Sequence, residues 1–163
     1  ELAFTDLDVN AILTAVVSSL EIMATTAGIS LKTELAPRLP RVVADATSVR
    51  QILLNTLTNA LKFAPRGSTV AVISRIETGG PLTITIADTG PGMSSDEIAR
   101  ITSGAADTNG GEGQERPGGG YGIGLPLSMK LAAVNGATLS IESQPGVGTR
   151  VTLAFPGGRQ IPI

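Results

Sequence analysis

Apolar side chains recur at Val9, Ile12, Leu13, Val16, Val17, Leu20 and Met23, the three-and-four spacing of a helix that buries one face. This pattern predicts a helix over 8–24, stopped by Gly28. The period then changes to two, as Ile29, Leu31, Thr33 and Leu35 alternate with Ser30, Lys32 and Glu34 in the manner of a half-buried strand. Pro37 and Pro40 mark a loop, and Val42–Val43 reads as a brief strand. Asp45 is placed to cap a long helix from about Thr47 to Phe63, whose apolar stripe is Val49, Ile52, Leu53, Thr56, Leu57, Ala60 and Leu61. Pro65–Arg66–Gly67 is a turn. Strands over 69–76 and 82–88 follow, with Gly79–Gly80–Pro81 as a hairpin connection. A short helix is predicted over 94–101, with Ser94 or Ser95 as its cap. A helix resumes at about 122–135 and stops at Gly136, and strands over 137–143 and 149–155 meet at Gly146–Val147–Gly148.

Elements in this order predict an α+β fold, a two-layer α/β sandwich with a mixed, mostly antiparallel sheet and helices on one face. The 163 residues suit one domain, expected over 1–157, with 158–163 as a tail. Folding at this length buries roughly 70% of the chain's surface, enough for a real core. That core is expected to be aliphatic, because Phe4, Phe63, Tyr121 and Phe155 are the only aromatic residues.

Composition removes several kinds of chemistry. Without histidine or cysteine the chain has no Ser-His-Asp or Cys-His nucleophile, no imidazole-built zinc site and no disulfide. A net charge of -2 without a basic run gives no electrostatic support for binding nucleic acid or a membrane surface. Cytoplasmic residence, compatible with the lack of cysteine, is expected, and no apolar run approaches the ~20 residues that cross a bilayer. The Walker pattern G-x-x-x-x-G-K-[ST] is missing, and the glycines near 120 do not follow G-x-G-x-x-G.

The long helix carries a second stripe. Gln51, Asn55, Asn59 and Lys62 are spaced by four, four and three, so they share a face. A solvated face is usually rich in Glu and Lys, whereas this one offers three amides and one cation. Amide oxygens suit Mg²⁺, which keeps several waters and shares phosphate oxygens. Lys62 is placed to neutralise phosphate.

Asp88–Thr89–Gly90–Pro91–Gly92–Met93 closes a strand. Its carboxylate can accept from an exocyclic amine such as that of adenine, and its glycines let the backbone pass close to a flat ring. Alone, the segment is also an ordinary strand-to-loop turn. Gly118 to Leu125 leads into a helix with closely spaced glycines, and these can turn backbone N–H groups toward an anion or act as a hinge. Between the two, seven of the eighteen residues from Ser103 to Gly120 are glycine, so this stretch buries little surface to offset its ordering entropy and is expected to be mobile. The fourth element, Gly146–Val147–Gly148–Thr149, is adequately explained by a hairpin turn.

Taken in sequence, N-x-x-x-N-x-x-K, D-x-G-x-G, a glycine-rich stretch, G-x-G-x-G-L and G-x-G-T resemble the GHKL ATP-binding superfamily, and within it the histidine kinase catalytic domain. The resemblance runs from about Thr5 to Phe155. Residues 50–63 are similar to that family's N box, Asp88 to Met93 to its G1 box and Gly120 to Leu125 to its G2 box.

This resemblance implies ATP and Mg²⁺ as cofactors. Asn59, assisted by Asn55, would bind the metal, and Lys62 would contact the phosphates. Asp88 would recognise the adenine amine, supported by Thr149, with Gly90, Gly92 and Met93 lining the base pocket. Gly120, Tyr121, Gly122, Ile123, Gly124 and Leu125 would hold the phosphates. Residues 102–119 would form a lid, in which Arg116, its only cation, is the candidate for γ-phosphate contact. The implied partners are a histidine-bearing dimerisation domain and a response regulator. The chain is expected to be a monomeric fragment whose sensor and helical bundle lie upstream.

Position 55 separates members of the superfamily. Its hydrolysing gyrase, chaperone and mismatch-repair types, and its anti-sigma serine kinases, carry a glutamate there as general base. Asn55 cannot take up a proton at neutral pH, whereas a histidine acceptor brings its own lone pair. The expected activity is presentation of the γ-phosphate to a histidine on a separate domain. The alternatives are a degenerate regulatory module acting through protein contacts and, further off, an ATPase or serine kinase. In one respect the chain departs from the family: residues 96–104 contain no aromatic residue where many members have the F box that anchors the lid.

Overall fold

The computed structural model describes residues 1–103 and 124–161, with backbone alone at Ile101 and Ser103. The expected α+β architecture is present. A five-stranded sheet in the order β2-β4-β5-β7-β6 is built from β2 (Ser30–Leu35), β4 (Thr69–Ile76), β5 (Leu82–Asp88), β6 (Thr138–Gln144) and β7 (Gly148–Phe155). Only β2 and β4 run parallel; the other three pairings are antiparallel. Against one face pack α1 (Val9–Ala27), α2 (Ala46–Phe63) and α4 (Gly124–Val134), while α3 (Ser95–Ser103) lies beside α4 and β6.

The helices start and stop where local chemistry dictates. Asp8 caps α1 by accepting from Ala11 N–H at 3.1 Å, and Gly28 ends it in the left-handed region. Asp45 caps α2 as expected, its carboxylate accepting from Ser48 N–H at 2.8 Å and from the Ser48 hydroxyl at 2.6 Å. Every member of the predicted α2 stripe is buried. The stripe meets the inner faces of β5 and β7, where Leu82, Ile84, Leu153 and Phe155 are almost wholly enclosed.

Three features depart from the sequence reading. The expected tail includes a strand, since Gln160–Ile161 (β8) pairs with β3 (Arg41–Asp45), which pairs in turn with β1 (Phe4–Leu7) in a second, three-stranded sheet. Two- and four-residue strands hold too few positions to show a period, and partners far along the chain stabilise them. Thr33, expected on a buried face, is exposed because β2 is an edge strand. Finally, the nineteen residues of α1 are long and apolar enough, by length and composition, to cross a bilayer. The shorter helix expected there hid this. Val9, Leu13, Val16, Val17, Leu20 and Ala24 of α1 are buried in the core.

Candidate functional site

Across β5, β7 and β6 the inner face of the large sheet is apolar row by row until its last row. Ile141, Val151 and Ile86 lie side by side across β6, β7 and β5, and one row on, Ser143, Thr149 and Asp88 take the same places. Side chains in register across neighbouring strands lie on one face within contact range. The sheet therefore ends in a polar edge at the mouth of the core.

Asp88 is half-buried there. Its Oδ1 accepts from Gly90 N–H at 2.8 Å, and Thr149 N–H also supports the carboxylate. Desolvation outweighs both hydrogen bonds and raises its pKa above the ordinary 3.8. Such a group gains from a ligand that brings it a donor.

The loop after β5 is fastened to the turn between β6 and β7. Gly146 N–H donates to Pro91 O at 2.8 Å, and Met93 N–H to Ser143 Oγ at 2.7 Å. Two glycines make the approach possible. A Cβ on Gly92, whose φ is 69°, would lie 2.0 Å from the Gln144 carbonyl oxygen, and one on Gly148 would lie 2.1 Å from that of Asp88. The hairpin explanation of Gly148 is thus incomplete, because the residue is also where the two segments touch. Gly90 packs against the Phe63 carbonyl at the end of α2, which joins this loop to the amide-bearing helix. Met93 is buried in the core beneath it.

On α2, Gln51 and Lys62 are exposed, Asn55 is half-buried and Asn59 is only 7% exposed. Asn55 is held at both ends, its Oδ1 accepting from Gln51 Nε2 at 2.9 Å and its Nδ2 donating to Ser128 Oγ at 3.4 Å. Gly124, the first residue of α4, faces the pair, and a Cβ there would lie 3.9 Å from both Asn55 Cβ and Asn59 Nδ2. The start of α4 therefore sits over the two amides. Leu125 turns its side chain into the core and anchors that start. Arg116, Gly120, Tyr121, Gly122 and Ile123 lie outside the described residues, as does most of the expected lid.

The donors suit a phosphate-bound cation. Among the described residues no three His, Cys, Asp or Glu side chains cluster as a metal cage, so a divalent ion at Asn55 and Asn59 would meet neutral amide oxygens and draw its anionic ligands from phosphate. Asn59, 7% exposed, makes no side-chain hydrogen bond to another described residue.

Sequence reasoning missed Ser143 and Ser128. Ser143 stands where the alternation Leu139, Ile141 demands an apolar residue, and that break was the available signal. Ser128, wholly buried on α4, gave none.

The family profile described as "Histidine kinase-, DNA gyrase B-, and HSP90-like ATPase" matches residues 44–159. The chain is 38% identical over 137 residues to the histidine protein kinase DivJ of Caulobacter vibrioides, covering 84% of this chain and 22% of DivJ. It thus spans about a fifth of that relative. Full-length ShkA, solved in complex with AMPPNP, superposes with a TM-score of 0.78 at 29% identity, over 96% of this chain and 31% of ShkA. The catalytic domain of histidine kinase ThkA in a nucleotide-free form superposes at 0.79 with 20% identity, over 95% of this chain and 98% of that domain. At that identity the last likeness speaks for the fold alone.

Proposed function

The chain belongs to the histidine kinase-, DNA gyrase B- and HSP90-like ATPase family, and from that premise we propose that it binds Mg-ATP and presents the γ-phosphate to a histidine on a separate dimerisation domain. The observation that carries this reading is the placing of Asn55 and Asn59 under Gly124, one helix end away from the half-buried Asp88. Amide oxygens for a metal, a glycine at a helix N-terminus for phosphate and a carboxylate for an amine lie in the order of a nucleotide's parts.

Asp88 accepts from the adenine amine, with Gly90 leaving the carboxylate edge free of a side chain and Gly92 letting the loop that lines the base pocket close on the β6–β7 turn. Asn59 and Asn55 hold the metal, and Lys62 lies one turn onward toward the phosphates. Bound Mg²⁺ supplies charge stabilisation for the transferring phosphoryl group. Gly124, without a Cβ, lets a phosphate approach the first turn of α4.

Asn55 favours transfer over hydrolysis. With Gln51 on its oxygen and Ser128 on its nitrogen, it is a fixed neutral amide and cannot deprotonate water. A histidine acceptor needs no such base. The phosphoryl group then passes to a response regulator, which places the chain in a two-component system as the catalytic part of a longer kinase.

The test is calorimetric titration of the chain with ATP and ADP, with Mg²⁺ and then with EDTA, followed by phosphotransfer in trans to a histidine-bearing domain. Saturable binding strengthened by Mg²⁺ and labelling of the supplied histidine are expected. A folded chain that binds neither nucleotide at millimolar concentration overturns the reading in favour of a regulatory module.

A further inference from the structure

Ser143 makes three contacts with one hydroxyl. Its Oγ lies 2.7 Å from Met93 N, 3.0 Å from Gly148 O and 2.8 Å from Thr149 Oγ1. A hydroxyl has one proton to give and two lone pairs. Met93 N–H can only donate and Gly148 O can only accept. All three contacts are hydrogen bonds together only if Ser143 gives its proton to Gly148 O and accepts from both Met93 N–H and the Thr149 hydroxyl. Thr149 then has no proton left for any other partner, and its oxygen offers lone pairs alone. Its register neighbour Asp88 also presents an acceptor there, its Oδ1 accepting from Gly90 N–H.

We propose that Ser143 is a specificity-determining positioning residue: by taking the Thr149 proton, it makes the base-reading edge of the site acceptor-only, so that the site selects a purine with an amine at ring position 6 over one with a carbonyl. The inference rests on the nucleotide-binding reading above and adds to it how the base is chosen. Thr149 is 4% exposed, so a carbonyl placed against its lone pairs has no water to turn to, and an unpaired buried acceptor is costly. Ser143 itself need not touch the base. It acts by deciding which way the Thr149 hydroxyl points.

The experiment compares the dissociation constants of ATP and inosine triphosphate, which carries the carbonyl, for the intact chain, Ser143→Ala, Thr149→Val and the double variant. The wild type is expected to prefer ATP. In Ser143→Ala the Thr149 proton is free to serve a carbonyl, and the preference falls on the order of ten-fold. Thr149→Val keeps the volume, removes the lone pairs and lowers the preference similarly, and the double variant falls no further than either single one. A merely structural role for Ser143 would weaken both nucleotides alike. An unchanged preference in either folded variant, or losses that add in the double variant, overturns the inference while leaving nucleotide binding intact. A wild type that binds neither nucleotide removes the underlying reading and the inference with it.

Discussion

The Cα of Gly92 stands so close to the backbone of Gln144 that a Cβ would lie 2.0 Å from its carbonyl oxygen. Two segments fifty residues apart thus share one packed unit, tied again by Gly146 N–H to Pro91 O and Met93 N–H to Ser143 Oγ. Gly92→Ala must both hold a side chain in the left-handed region, at about 1–2 kcal/mol, and push the β6–β7 turn away. Thermal unfolding should show a loss of roughly 2 kcal/mol or more, and ATP affinity should fall at least ten-fold.

Asp88→Asn separates binding from stability. Losing the charged acceptor should weaken ATP by about two orders of magnitude in calorimetry. Because burial raises the native pKa of Asp88 above 3.8, its contribution to stability is complete below that value and is lost as pH rises through the native pKa. The neutral asparagine escapes that loss. The variant should therefore melt at or above the wild-type temperature at pH 7, with the gain disappearing in acid.

Asp45 has the opposite sign. The Ser48 hydroxyl, then the N–H groups of Ala3 and Ser48, hold its pKa below 3.8, so its stabilisation is present above that value and is lost as pH falls through the lowered native one. Asp45→Asn should melt below wild type at pH 7, and the two curves should converge in strong acid.

Asn59→Ala removes an amide oxygen from the proposed metal site and leaves the proposed base pocket untouched. Titrations with Mg-ATP should weaken by about ten-fold or more, whereas titrations in EDTA should change little. Equal loss in both would assign Asn59 to packing alone.

Asn55→Glu places a proton acceptor under Gly124 while Gln51 Nε2 can still donate to it. Phosphate release from ATP by the chain alone should rise by about 10²-fold if a missing general base limits hydrolysis. An unchanged rate would show that another feature protects the phosphate.

Much of the fold was legible because its causes are local. The α2 stripe from Val49 to Leu61, the Asp45 cap and the stop at Gly28 each follow from residues within a turn or two of one another, and the structure places all of them as read. The motif order was legible too, since it is a property of the chain. The amide face of α2 could be drawn from spacing alone, and Asn55 and Asn59 do lie together beneath Gly124.

What tertiary structure alone decided depends on which distant residues become neighbours. β8 is too short to carry a pattern and exists because β3 offers it hydrogen bonds. Ser143 reads as a lapse in alternation until register sets it beside Thr149, and the direction of that threonine's proton follows only from counting partners on three segments. Gly148 serves a turn by its own sequence, yet its closest neighbour is the Asp88 carbonyl on another strand. Helical period, caps and glycine stops are short-range preferences that a sequence states directly, whereas the polar row that ends the sheet arises from register, which is fixed only when the whole core packs.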